Sequence, residues 1–328
     1  MKVTVVGSGS WGTALTILLA RNGHEVLLLG RNVEEIEVMR ERRENLRYLP
    51  GFVIPDSVRY ELLPYQVDES ELTVIAVPST AVREVVKDIL GQHPLVVLAS
   101  KGLESTTGRM MTEIAAEALP NAVIGALSGP NLAIEIVRGI PTAAVSAFPD
   151  SDAADLVRNA FMCRSFRVYS ADDVIGVELA GALKNVLAIG AGVSDGLGYG
   201  DNTKGALMAR GLREMTRLGL SMGAKLETFM GVAGVGDLFA TASSNLSRNY
   251  RVGRALGAGG TLAASLHEIG QVAEGVLTSE AALILGERQG IEMPVFRAIA
   301  EVIQGKIQPI EGVGRLMERS TPNEGFMD

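Results

Sequence analysis

The opening stretch, Met1-Lys2-Val3-Thr4-Val5-Val6-Gly7-Ser8-Gly9-Ser10-Trp11-Gly12, runs from a β-branched strand pattern straight into Gly-x-Gly-x-x-Gly. The residues that follow, Gly12–Arg21, read as a helix, and Glu25–Leu29 reads as a returning strand. In that context Gly7 makes the tight turn, Gly9 lets backbone approach a pyrophosphate, and Gly12 allows helix and strand to pack closely. The helix N-terminus adds N–H donors and partial positive charge. A ligand-free βα turn would need the same glycines; the complete strand–helix–strand setting weighs against it.

Working outward, further β-branched runs read as buried parallel strands: Leu72–Val77, Leu95–Ala99, Val123–Ala126, Thr142–Ser146 and Phe166–Tyr169. Helical patterns at Val82–Leu90, Arg109–Leu119 and Ala153–Met162 separate several of them. This alternation predicts an α/β fold, a Rossmann-type doubly wound and mostly parallel sheet with helices on both faces. Past Asp172 the strand signal stops. Helices are expected at Val174–Val193, Lys204–Leu220, Leu277–Gln289 and Pro294–Ile303, with a loop at Gly257–Gly260 and a frayed tail from Ser320. The expected division is a dinucleotide-binding domain over 1–174 and an all-α substrate and catalytic domain over 175–328.

Composition mostly excludes. A net charge of −8 gives no global field to recruit nucleic acid or an anionic membrane. A single cysteine, Cys163, makes neither an intrachain disulfide nor a multi-cysteine metal site, and it fits a reducing cytoplasm. No run approaches the roughly 18 consecutive apolar residues of a membrane span, and the immediate strand at Met1 is expected to leave no room for a signal peptide. No metal is expected. The 38 glycines among 328 residues exceed the usual ~7% and recur where apolar runs end, which reads as backbone approached closely by something else.

The second strand ends in Gly30-Arg31-Asn32, where Arg31 suits a 2′-phosphate; Glu34 and Glu35 come late for a ribose 2′-hydroxyl, and NADH stays open. Ligands of such sheets bind beyond the strand ends, which here carry Val77-Pro78-Ser79, Ser100-Lys101-Gly102-Leu103-Glu104 and Ser128-Gly129-Pro130-Asn131. Lys101 is either an anion contact or a solvated charge, and Gly129 with Asn131 either offers donors or makes a plain turn. In the helical half, Glu178-Leu179-Ala180-Gly181-Ala182-Leu183-Lys184-Asn185-Val186 sets a lysine and an asparagine in an apolar helix. Gly181, Lys184, Ala188 and Gly192 share one face, so small residues are expected to leave access to Lys184. Loss of solvation should lower its pKa into a range useful for proton transfer; the competing reading is a snorkelling lysine. Asp237 and Asn185 are expected to orient it. Asn202 or Thr203 is expected to cap the next helix. Ser247-Arg248-Asn249 forms a donor set for a phosphate dianion, beside Arg251 and Arg254 read as a solvated basic loop.

These motifs, together with Asp195–Lys204 and Gly234-Val235-Gly236-Asp237-Leu238, resemble the bacterial-type NAD(P)-dependent glycerol-3-phosphate dehydrogenases. The resemblance spans nearly the whole chain in order. It implies reversible reduction of dihydroxyacetone phosphate to sn-glycerol 3-phosphate by NAD(P)H, in phospholipid backbone synthesis, and a homodimer. It implies cofactor contacts at Gly7, Gly9, Ser10, Trp11, Gly12, Arg31, Tyr48, Lys101, Ala133, Arg248, Val272 and Glu274. It implies Lys184 as proton donor and acceptor, and substrate contacts at Lys101, Gly129, Asn131, Asn185, Asp237, Thr241, Ser247, Arg248 and Asn249. Asn131 departs from the Ser or Thr of many relatives. A β-hydroxy-acid dehydrogenase would separate its lysine and asparagine by two or three residues, whereas Lys184 and Asn185 are adjacent. A non-catalytic dinucleotide sensor would have no use for Lys184, Asp237 and Arg248 together.

Overall fold

Side-chain alternation along the strands sorts the first half of the chain into two cores. Val5, Leu28, Val74 and Val97 enter one; Val6, Leu29, Ile75 and Leu98 enter the other. In the computed structural model, which describes residues 1–318, these strands form one eight-stranded sheet. In chain order the strands are β1 (Lys2–Val6), β2 (Glu25–Gly30), β3 (Arg59–Leu62), β4 (Leu72–Ile75), β5 (Leu95–Leu98), β6 (Val123–Ser128), β7 (Thr142–Ala147) and β8 (Phe166–Ala171). Across the sheet they lie β8-β7-β6-β5-β4-β1-β2-β3. All neighbours are parallel except β6 and β7. The run from β3 to β6 is the dinucleotide-binding order, and its direction reverses between β1 and β4, where such sheets hold ligands. Helices Ser10–Arg21 and Ser151–Phe161 cover one face, and Ser79–Asp88 and Met111–Ala118 the other.

The sequence pattern did not show β3, whose Arg59-Tyr60-Glu61-Leu62 alternates charge with apolar residues, nor the short pair Glu44–Asn45 with Leu49–Val53. The helix expected over Val82–Leu90 runs from Ser79 to Asp88 instead. It stops because Ile89–Gly91 pairs with Tyr65–Val67, and Gly91 takes φ +117°.

Compact units divide the chain at 1–100 with 111–174, and at 101–110 with 175–318 of the described residues. The unbroken boundary at 174 is therefore corrected for 101–110. Leu103 and Met110 bridge each other and are buried in the helical core, which removes this strand-end loop from the sheet's unit. The helical unit is built around Val174–Gly196, buried from Gly176 to Ser194. By length and composition this helix is apolar enough to cross a bilayer, contrary to the sequence expectation, yet 89% of its apolar window is buried as a core helix would be. Among the described residues no strand follows β8. The tail expected to fray from Ser320 lies outside them.

Arg251 and Arg254, read as a solvated basic loop, instead lie in the helix Arg248–Gly257. Gly253 and Gly257 lower intrinsic helix propensity, but here they are where another helix touches. A Cβ on Gly253 would lie 1.9 Å from the Ile189 carbonyl oxygen, and one on Gly257 2.3 Å from that of Val193. Reciprocally, Cβ atoms on Gly192 and Gly196 would meet the Tyr250 and Arg254 carbonyls at 2.1 and 2.3 Å. Two Gly-x-x-x-Gly faces thus bring helices Val174–Gly196 and Arg248–Gly257 together backbone to backbone.

Candidate functional site

In the sheet unit, Gly7 takes the left-handed φ of +118° as β1 ends, and a Cβ there would crowd the Ala76 carbonyl oxygen at 2.6 Å. A Cβ on Gly12 would lie 1.9 Å from the Gly7 carbonyl oxygen, so the helix packs directly on the turn. Gly9 differs: a Cβ there would meet nothing within 4 Å. The helix begins at Ser10, with no capping side chain and no acidic residue in its first turn. Open space before an uncapped, acid-free helix N-terminus fits a pyrophosphate. Trp11 is fixed by donating from Nε1 to the Ala99 carbonyl at 3.0 Å.

Asn45, unmarked by sequence reasoning, holds this turn. Its Nδ2 donates to the Ser8 carbonyl at 2.8 Å and to Thr13 Oγ1 at 2.7 Å, and its Oδ1 accepts from the Tyr48 backbone N–H. No motif flags it, because the two-residue strand it sits on has no period. Tyr48 carries the Arg47 guanidinium over its ring at 5.0 Å. Arg31, at the end of β2, pairs with Asp88 at 2.9 Å and Glu84 at 3.5 Å. Gly129 needs its glycine, since φ is +148° and a Cβ would approach the Ala143 carbonyl oxygen at 2.7 Å. Asn131 donates to that carbonyl at 3.2 Å, leaving its buried Oδ1 without a partner. Ala133, half-buried, opens the short helix Ala133–Val137.

In the helical unit, Asp237 stands between two lysines. Its Oδ1 accepts from Lys184 Nζ and its Oδ2 from Lys101 Nζ, each at 2.7 Å. Lys184 also donates to Thr241 Oγ1 at 2.6 Å, and the Thr241 hydroxyl donates to Asp237 at 3.1 Å. Asp237 begins the helix Asp237–Ala242, directly after a π-helical turn over Val232–Gly236. One turn along, Thr241 reaches the same lysine. Burial pushes the Lys184 ammonium down from 10.5 to about 8; Asp237 opposes the fall, and Lys101 and Arg248 add to it. Burial would raise the Asp237 carboxyl, but the two lysines outweigh it and hold the group below the usual carboxylate range. Lys184 is 6% exposed, which excludes a snorkelling side chain.

Asn185 does not orient Lys184, a correction to the sequence expectation. Its Oδ1 accepts from Asn249 Nδ2 at 3.0 Å, and Asn249 Oδ1 accepts from the Gly275 N–H at 2.9 Å. One asparagine thereby ties the lysine-bearing helix to the start of helix Glu274–Gln289, whose first residue is Glu274. Arg248 opens its helix and donates to Gln271 at 3.4 Å; burial weighs against its cation and Glu274 counters. Ser247 is the N-cap, its Oγ accepting from the Tyr250 N–H at 3.2 Å. Val272 is exposed. Gly192 does not open access to Lys184 as expected, because the Tyr250 backbone fills the space beside it. Nor do Asn202 and Thr203 cap a helix: helix Asp201–Ser221 already contains both, with Gly200 at the cap. Among the described residues no three His, Cys, Asp or Glu side chains gather as a metal site would require.

Residues 2–154 match the model of the NAD-dependent glycerol-3-phosphate dehydrogenase N-terminus, and 173–314 match that of its C-terminus. The chain belongs to this dehydrogenase family. It is 46% identical to glycerol-3-phosphate dehydrogenase [NAD(P)+] of Thermoanaerobacter sp. (strain X514), covering 99% of both chains. It is 45% identical to that of Desulfitobacterium hafniense (strain Y51), covering 98% of this chain and 93% of the relative. The crystal structure of glycerol-3-phosphate dehydrogenase from Coxiella burnetii matches with a TM-score of 0.92 at 36% identity, covering 97% of this chain and 99% of that one.

For this member of the glycerol-3-phosphate dehydrogenase family, two supporting contacts escaped the motif reading. One is Asn249 as a tie rather than only a donor. The other is Tyr250, whose hydroxyl donates to Asp195 at 2.6 Å while Lys204 pairs with the same carboxylate at 2.9 Å. The face carrying Gly192 was visible in the sequence; its partner helix was not, because Gly257 read as the start of a loop.

Proposed function

We propose that the chain is an oxidoreductase reversibly reducing dihydroxyacetone phosphate to sn-glycerol 3-phosphate with NAD(P)H. The observation that carries this reading is the Lys101–Asp237–Lys184 array, its Asp237 and Lys184 buried and Arg248 nearby, in a chain of this family. Gly7, Gly9, Gly12 and the helix N-terminus at Ser10 would hold the cofactor pyrophosphate, with Trp11 and Arg31 at its flanks. Bound NAD(P)H supplies the hydride that adds to the C2 carbonyl carbon of the substrate.

An ammonium has three donors. Lys184 directs two to Asp237 and Thr241, which leaves one for the substrate C2 oxygen. As negative charge develops on that oxygen, Lys184 stabilises it and transfers the proton, leaving alcohol and neutral amine. A pKa near 8 suits both directions: the cation predominates at pH 7, and the neutral amine forms readily enough to accept the proton back. Asp237 stays ionised throughout and orients the amine. Lys101, Lys184 and Arg248 outnumber Asp237 in positive charge, which suits a phosphate dianion. Arg248 and the Asn249 segment would anchor the phosphate, fixing the carbonyl in register. Supply of the phospholipid backbone, a cytoplasmic setting and a homodimer accompany this reading through the family likeness alone.

The test is loss of reduced-nicotinamide absorbance on adding dihydroxyacetone phosphate, with a β-keto acid in parallel. Consumption with the first and not the second is expected; the reverse result overturns the substrate assignment.

A further inference from the structure

The end of β2 holds one cation between two carboxylates. Arg31 Nη2 donates to Asp88 Oδ2 at 2.9 Å, and Nη1 reaches Glu84 Oε2 at 3.5 Å. Glu84 and Asp88 are four residues apart on the helix Ser79–Asp88, so both carboxylates lie on the face that meets Arg31. Asp88 is the last residue of that helix, where the macrodipole disfavours an acid. The Arg31 pair is what offsets that placement. The neighbouring side chains are otherwise committed: Asn32 caps helix Val33–Arg42 by accepting from the Glu35 N–H, and Glu35 pairs with Arg47 at 2.6 Å.

We infer that Asp88 and Glu84 determine the balance between NADH and NADPH by competing with a cofactor 2′-phosphate for Arg31. The inference rests on the dinucleotide reading of the Gly7–Gly12 turn. A residue at the end of the second strand faces the adenosine ribose in such sheets, where an arginine accommodates the 2′-phosphate of NADPH. To do so, Arg31 has to give up two carboxylate contacts. NADH brings a neutral 2′-hydroxyl and leaves both contacts in place. Both pairs are solvent-exposed: the side chains of Arg31, Glu84 and Asp88 are 44%, 75% and 38% accessible. Exposed pairs are worth little. The carboxylates therefore act as a graded bias against NADPH rather than a block, which is the arrangement a dual-specificity enzyme needs.

The experiment measures NADPH and NADH dissociation constants by titration calorimetry on the full chain. It compares wild type, the double variant Glu84→Gln/Asp88→Asn, and that variant carrying Arg31→Ala. Both neutral substitutions are near-isosteric on the solvent-facing side of their helix, and melting temperatures check that each protein folds. In the double variant NADPH should bind about fivefold more tightly, with NADH unchanged within about twofold. Adding Arg31→Ala should abolish that gain. An unchanged ratio of the two constants overturns the inference, as does a gain that survives removal of Arg31, since the carboxylates would then act by direct repulsion. A wild-type chain that binds neither nucleotide overturns the dinucleotide reading itself. One that binds both, with no shift among the variants, overturns only the role of Asp88 and Glu84.

Discussion

Gly9 and Gly253 both adjoin a helix, yet an added Cβ would meet nothing within 4 Å at the first and the Ile189 carbonyl at 1.9 Å at the second. In the sheet unit, the missing side chain at Gly9 keeps a space in front of a helix N-terminus. In the helical unit, the missing side chains at Gly192, Gly196, Gly253 and Gly257 have been replaced by another backbone. The first leaves room for a ligand from outside; the second sets the distance between the helix carrying Lys184 and Asn185 and the helix carrying Arg248 and Asn249. A high glycine content therefore has two physical meanings in one chain. Glycine as access is consistent with the open space at Gly9 and fails on the Gly192 face.

Four changes would break or sharpen this contrast. The largest effect is expected from Lys184→Ala, which removes the proposed proton carrier from the helical unit. Turnover should fall about 10²- to 10⁴-fold, while the NADH dissociation constant, assigned to the other unit, stays within about twofold. Steady-state kinetics and calorimetry read the two quantities, and a loss of both would merge the roles kept apart here. Arg248→Ala comes next. Loss of a charge-assisted phosphate contact should raise the apparent KM for dihydroxyacetone phosphate roughly tenfold or more, with kcat less affected; normal saturation would remove Arg248 from the site.

Gly253→Ala tests the contact glycine. Helix propensity alone would make this substitution stabilising by about 1 kcal/mol. Crowding against Ile189 should reverse the sign and cost about 1–3 kcal/mol in urea unfolding, with a raised KM as the two helices separate. A stabilised protein would refute the backbone-to-backbone packing. Gly9→Ala is the smallest in stability, within about 1 kcal/mol of wild type, because the new methyl enters open space and φ of −74° suits alanine. Its effect should fall on NADH affinity. If it unfolds the chain as readily as Gly253→Ala, the two glycines are not different in kind.

Much of this was readable beforehand, for physical reasons. Strand alternation and the Gly7–Gly12 turn are local signals, so the sheet and its dinucleotide turn follow from short windows. Lys184 stood out because an ionisable group in an apolar helix is costly to bury. What it meets was only partly legible. Lys101 reaches Asp237 because Lys101–Met110 is drawn out of the sheet unit by Leu103 and Met110, two apolar residues with no periodic pattern. Asn185 was expected beside the lysine and instead meets Asn249, 64 residues on. Helix Arg248–Gly257 was hidden because Gly257 reads as the start of a loop, and Gly253 lowers helix propensity until its partner helix is known. Asn45 had no signal at all: its value lies in two hydrogen bonds to a turn more than thirty residues earlier.

The measurement that bears most directly on Lys184 as proton carrier is the pH dependence of turnover in both directions. Burial lowers its pKa to about 8, and in the proposed role reduction needs the cation. Reduction of dihydroxyacetone phosphate should therefore be level below about pH 8 and fall above it. Oxidation of sn-glycerol 3-phosphate needs the neutral amine, so it should rise up to about pH 8 and then level. Asp237, held below the usual carboxylate range, should add no limb near neutrality. Two profiles bending in opposite senses near pH 8, and lost together in Lys184→Ala, are the predicted result. Profiles that run flat through pH 8, or keep their bend in the variant, would contradict it.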